Sequence, residues 1–133
     1  MRRAELEQHV RALYAAFAAG DAEAYQAAFA DDIVWHVPGD NPVSGAYRGR
    51  RAYFETMPGR MAPLDEWRFT VGDVEVNERD RAALVAVRVT GARPGRRVDL
   101  DGHHMIRLDE RGKIIEGWGF VADQAALDDF FSA

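Results

Sequence analysis

The histidine doublet His103-His104 lies in the run RVDLDGHHMIRLDERG, whose strict alternation sends its two imidazoles to opposite sides. Val98, Leu100, Gly102, His104, Ile106 and Leu108 share one face of a strand. Arg97, Asp99, Asp101, His103, Met105 and Arg107 share the other. The first face belongs to a core or cavity, so His104 is a titratable group set among aliphatic residues. Such an imidazole suits general acid–base work or hydrogen-bond donation to a substrate carbonyl, because its ordinary pKa lies near neutrality and burial depresses it. The competing reading is a core histidine satisfied by a backbone carbonyl. The doublet cannot chelate one metal from a regular strand, since its rings point apart.

Other candidates surround it. Alternation groups Ile33, Trp35 and Val37, leaving His36 with Val34. An indole face is a good wall for a flat apolar ligand. His36 either reaches a pocket mouth, if the strand twists before Pro38, or stays at a surface or interface. In the last strand Ile115, Gly117, Gly119 and Val121 share one parity, and Ile114, Glu116, Trp118 and Phe120 the other. The two glycines leave room for a ligand or for another backbone. With them inward, Trp118 and Phe120 face outward; a bulge would bring Trp118 into the pocket. Asp123 follows this strand and is read two ways, as a carboxylate assisting a histidine or as a helix N-cap. Arg88 interrupts an apolar strand and has Glu75, Glu116 or a ligand carboxylate as candidate partners. The loop clusters Arg48, Arg50, Arg51 and Arg93, Arg96, Arg97 either steer an anion or remain solvated.

The elements that position these residues follow from periodicity. Leu6, Val10, Leu13, Tyr14 and Phe17 recur at helical spacing up to Gly20. Asp21 caps a second helix with Ala22, Tyr25, Ala28 and Phe29 on one side. A short strand, Ile33 to Val37, ends at Pro38-Gly39, and Asp40 to Gly49 reads as a loop. A third helix is expected from about Arg50 to Met57, presenting Tyr53 and Phe54 and broken by Pro58-Gly59. From Trp67 the period becomes two, with a parity flip at Gly72-Asp73 that predicts a β-bulge. Asn77 to Asp80 reads as a hairpin turn, Ala82 to Val89 as a central strand, and GARPG as the loop before the His104 strand. A last strand from Ile114 to Val121 and a terminal helix from Asp123 to Phe131 complete the pattern. Helices first and hairpin-linked strands after imply an α+β fold, a cone-shaped barrel with N-terminal helices packed on a curved antiparallel sheet. The open end of a cone is a natural pocket.

Bulk properties narrow the classes further. The length suits a single domain, 1–133, and 47% hydrophobic residues suffice for one core. A net charge of -5 argues against nucleic-acid binding. The chain has no cysteine, which removes disulfides and thiolate chemistry. No apolar run is long enough for a bilayer, and the start lacks a signal-peptide core, so a cytoplasmic protein without membrane contact is expected. No metal site is expected: His36, His104 and Asp123 have no ligand spacing. The serines Ser44 and Ser132 lie in no nucleophile elbow, and no phosphate loop or dinucleotide fingerprint occurs.

The runs GDAEAYQAAFADDIVWHVPG, GAYRGRRAYF and GHHMIRLDERGKIIEGWGF, with the tail AD, resemble the NTF2-like superfamily, in particular its SnoaL-like, ketosteroid-isomerase-like branch. The resemblance spans nearly the whole chain and specifies fold better than chemistry. It implies a cystatin/NTF2-like cone, a homodimer through the sheet, a hydrophobic pocket and no cofactor. Ketosteroid isomerases carry a catalytic carboxylate where this chain has Val37, and a protonated acid of the oxyanion hole where it has His104 (the handling of such an acid is a known case of burial-tuned pKa). They also use a tyrosine for the oxyanion, and Tyr14 lies near the corresponding part of the first helix, one residue off in its spacing to Gly20. Val37 disfavours steroid isomerisation. The expected function is a cofactor-independent isomerisation, cyclisation or dehydration of a small apolar carbonyl compound. His104 and Tyr14 would serve as its polar groups, with Asp123 or His36 assisting. Trp35, Val37, Tyr53, Phe54, Ile106, Gly117, Trp118 and Gly119 are the expected pocket lining. The alternative is a noncatalytic ligand-binding or interaction module on the same fold.

Overall fold

The computed structural model describes residues 1–133. Helix α1, Arg3–Ala19, buries Leu6, Val10, Leu13 and Tyr14, one stripe at helical spacing. Gly20 ends it at φ 69°, a conformation that costs glycine little, and its N–H reaches back to the carbonyls of Ala16 and Phe17. Asp21 accepts a hydrogen bond from the Ala24 N–H and caps α2, Ala22–Ala27. Phe29, which helical spacing assigns to that helix, instead opens strand β1, Phe29–Val37.

The stretch read as a loop holds a short strand, β2, Gly45–Arg48, paired antiparallel with β1. Next comes a π-helical segment, Ala52–Thr56, continuous with α3, Met57–Met61. Pro58 does not break the chain's helical course. It lies inside one uninterrupted helical run, directly after the π-helical turn.

The remaining strands are β3, Glu66–Asn77; β4, Ala82–Arg93; β5, Arg96–Leu108; and β6, Ile114–Val121. GARPG is only partly a loop, because β4 and β5 extend through it and leave a tight turn at Pro94-Gly95. The register shifts between Val71 and Val74, where the parity flip predicts a bulge. Helix α4, Gln124–Phe131, closes the chain.

Six strands form one sheet in the order β2-β1-β6-β5-β4-β3. All neighbours are antiparallel except β1 and β6, which run parallel. The sheet is therefore mixed, and it stays unclosed. The mixing arises because β1 is separated from β6 by the whole β-meander and enters beside it from the helical end. Helices α1 and α4 lie against the inner face, so the core forms between them and the inward residues of β3 to β6. Arg96 fastens α4 by donating to the carbonyl oxygens of Asp129 and Ser132. No helix is long and apolar enough to cross a membrane.

Candidate functional site

Strand β5 alternates as its sequence requires, and Val98, Gly102, His104, Ile106 and Leu108 are all buried. His104 is 7% exposed and is the one buried charged or polar residue of the chain. It pairs in register with Val85 on β4 and with Gly119 on β6. His104 and Gly119 both border open space, with Pro38 packed close over the glycine.

That space belongs to a cavity of about 300 Å³ between sheet and helices. Helix α1 contributes Tyr14 and Phe17, α2 contributes Tyr25, and β1 contributes Trp35 and Val37. Tyr53 and Phe54 enter from the π-helical segment, and Leu127 and Phe131 from α4. No Asp, Glu, Lys or Arg is among the lining residues. The size is at the lower end of ligand pockets, roughly 300–1,000 Å³, and the mostly apolar wall with a few polar groups is their usual character.

Three aromatic rings enclose His104. Phe69 and Trp35 meet it edge-on at centroid distances of 4.9 and 5.3 Å, and Tyr14 stacks at 5.8 Å. Burial, with a smaller contribution from the charge of His103, pulls the His104 pKa from 6.5 down to about 4. The ring is neutral at pH 7 and carries one proton on one nitrogen. The Tyr14 hydroxyl lies 2.5 Å from Nδ1. No other group in the protein bonds to the Tyr14 oxygen, and burial drives its own pKa upward, so the phenol keeps its proton. With Nδ1 as donor, both the Tyr14 O–H and the bare Nε2 would lack a partner, whereas donation by Tyr14 leaves only one ring N–H open and uses the imidazole nitrogen, the better acceptor. Tyr14 therefore donates to Nδ1, and the imidazole proton resides on Nε2. Nε2 has no protein partner and is not occluded, which places its N–H at the cavity. A neutral imidazole N–H aimed into an apolar hollow is a hydrogen-bond donor to a carbonyl or oxyanion.

A second polar spot lies on the same wall. The hydroxyls of Tyr25 and Tyr53 are 2.7 Å apart. Burial raises Tyr53 well above the usual phenol value, and it pushes Tyr25 up to about 12. Sequence reasoning placed Tyr53 in the pocket and missed Tyr25. The available signal was a tyrosine on the apolar side of α2, a position where its polar tip needs a partner.

The structure separates the remaining expected residues. Val37, Gly119, Trp35, Tyr53 and Phe54 line the cavity with Tyr14 and His104. Ile106 is fully buried in the core and is not in the cavity wall. Gly117 faces inward, but its space is filled: a Cβ there would collide with the Trp35 ring. Trp118 lies on the outer side, its ring stacked on His36 at 5.2 Å. His36 Nε2 is 2.9 Å from a Glu116 carboxylate oxygen on that outer face. Pairing Val34 with Glu116, and His36 with Trp118, keeps these residues on one side without a bulge between them. Asp123 accepts from the Ala126 N–H as the N-cap of α4 and does not line the cavity. His36, His104 and Asp123 therefore do not converge. Arg88 pairs with Asp101, its register partner on β5, and with Asp99 on the diagonal. Arg50, Arg93 and Arg96 spend their guanidinium groups on backbone carbonyls, and no arginine lines the cavity.

A curved mixed sheet wrapped over helices around an apolar hollow defines the cystatin-like, NTF2-like class of α+β cones. The solved structure of a protein of unknown function with this fold from Xanthomonas campestris superposes with a TM-score of 0.85 at 24% identity, covering 96% of this chain and 98% of the other. A protein from Jannaschia sp. CCS1, described as a SnoaL-like polyketide cyclase, superposes with a TM-score of 0.77 at 19% identity, covering 98% and 93%. Residues 10–117 match the family model of the SnoaL-like domain, and the chain belongs to that family. An uncharacterized protein of Mycobacterium tuberculosis is 28% identical over 124 residues, 92% of this chain and 93% of its own.

Proposed function

We propose that this protein is a small-molecule enzyme of the isomerase or polyketide-cyclase type, acting without a cofactor on an apolar carbonyl compound. The observation that carries the reading is the Tyr14–His104 pair, which presents a neutral Nε2–H to a mostly apolar, uncharged cavity. The carbonyl oxygen of a bound substrate accepts from Nε2. Loss of a neighbouring C–H proton to solvent water, the cavity wall carrying no carboxylate, moves negative charge onto that oxygen, and the bond strengthens as the charge develops. Tyr14, donating to Nδ1, holds the tautomer and the ring's orientation. Isomerisation, cyclisation and dehydration all draw on such an enol or enolate, and the name of the Jannaschia relative fits the cyclase branch. His104 acts here as the electrophile rather than as the base.

One observation favours the alternative, a noncatalytic module for hydrophobic ligands. The cavity holds no carboxylate to take the proton, and Val37 occupies the position where one is expected by resemblance. A homodimer through the outer sheet face fits either reading, since Leu84, Met105 and Phe120 are exposed there at 39%, 39% and 63%.

Exchange of the α-protons of 1-tetralone in D2O, followed by NMR, decides between the two. The enzyme reading expects accelerated exchange that drops by at least about a hundredfold in His104→Ala. Binding of 1-tetralone without acceleration supports the noncatalytic module.

A further inference from the structure

We propose that the Tyr25–Tyr53 hydroxyl pair is a second ligand anchor, so that the cavity takes an uncharged, flat compound bearing two oxygen acceptors. The proposal rests on the reading of the cavity as the ligand site and extends it from one polar contact to two.

Proton counting carries it. Tyr25 and Tyr53 have two O–H donors and one hydrogen bond between them. Whichever hydroxyl donates, the acceptor's own proton is unspent, and neither oxygen has another protein partner. Both residues line the cavity. An O–H buried without an acceptor costs free energy that a ligand oxygen would recover. His104 Nε2–H is unspent in the same way. The wall thus offers two donors and no charge.

The rings that carry the two donors both pack against one indole. Trp35 lies 5.3 Å from the His104 ring and 5.6 Å from the Tyr53 ring, between centroids. Phe29 and Phe54 extend the aromatic wall past Tyr53, at 4.8 and 5.0 Å. A planar ligand laid along this wall brings one oxygen to each donor. A carboxylate or ammonium ligand would enter without a counter-charge, which such a cavity penalises heavily. The chemical class is a quinone, a diketone or a hydroxylated aromatic ketone.

The test compares two probes, 1-tetralone with one carbonyl and 1,4-naphthoquinone with two, by quenching of the tryptophan fluorescence. Absence of cysteine from the chain removes thiol addition to the quinone as a complication. The variant is Tyr25→Phe with Tyr53→Phe, which deletes both partners of one hydrogen bond and keeps the rings. Affinity for the quinone is expected to fall about fivefold, the usual weight of one neutral hydrogen bond, and affinity for 1-tetralone to stay within twofold. An equal loss for both probes would mean the pair acts only through packing, and would overturn the proposal. So would no loss for either. His104→Phe provides the separate control: weakened binding of both probes shows the cavity reading intact even where the double variant refutes the second anchor. Failure of both probes to bind the wild-type protein overturns the cavity reading itself, and the second anchor with it.

Discussion

Replacing His104 by phenylalanine removes the one titratable imidazole of the cavity and leaves a ring of similar size. In the folded protein His104 titrates at about 4, and in the unfolded chain at its ordinary 6.5. Between these values the unfolded state binds the proton and the folded state does not. Stability therefore rises with pH across this window, and it is lost as acid drives the equilibrium toward the protonated, unfolded chain. The displacement of roughly 2.5 pH units corresponds to about 3 kcal/mol lost between pH 7 and pH 4, at about 1.4 kcal/mol per unit. Urea unfolding of the wild type and of His104→Phe at half-unit steps over this range measures it. Other acid-sensitive groups, among them Asp99 and Asp128, whose carboxyls are held low by their hydrogen-bond partners, cancel in the difference between the two proteins. The unpaired Tyr14 hydroxyl lowers the variant's stability by an amount that does not change with pH. The stability advantage of the wild type over the variant should thus shrink by about 3 kcal/mol on acidification. A pH-independent advantage would refute the claim that His104 is desolvated, and an advantage that grows in acid would mean the ring is charged in the fold.

Two further outcomes separate the cavity from its surroundings. Gly117→Ala pushes a methyl group into the Trp35 ring and should cost about 1–3 kcal/mol in urea unfolding, while weakening 1-tetralone binding as the indole shifts. Asp123→Ala removes the N-cap of α4 and should cost about 1 kcal/mol, with 1-tetralone exchange unchanged; a large loss of exchange would return Asp123 to the site.

Strand β5 shows how much of the site is local information. Its alternation sets the direction of His104 unaided, because period two leaves one choice once the aliphatic face is identified. The helix stop at Gly20, the bulge near Gly72 and the cap at Asp123 are equally local. Strand β2 escapes detection because its four residues sit in a stretch of glycine, proline and asparagine, and only pairing with β1 makes them a strand. The face of β6 is ambiguous from sequence because glycines fit both a ligand and a close neighbour; the Trp35 ring resolves it for Gly117. The Tyr25–Tyr53 contact joins residues 28 apart on separate elements, a relation that no window of periodicity contains. Likewise the tautomer of His104 is set by Tyr14, 90 residues away in the chain.

A neutral His104 with its proton on Nε2, accepting from Tyr14 at Nδ1, underlies both the ligand contact and the proposed chemistry. Long-range ¹H–¹⁵N correlation spectra of the labelled protein read this directly. At pH 7 the Nε2 resonance should lie in the protonated, pyrrole-like range and Nδ1 in the hydrogen-bonded, pyridine-like range, both unchanged until the pH approaches about 4. Two protonated nitrogens at pH 7, or a proton on Nδ1 with Nε2 bare, would contradict the account.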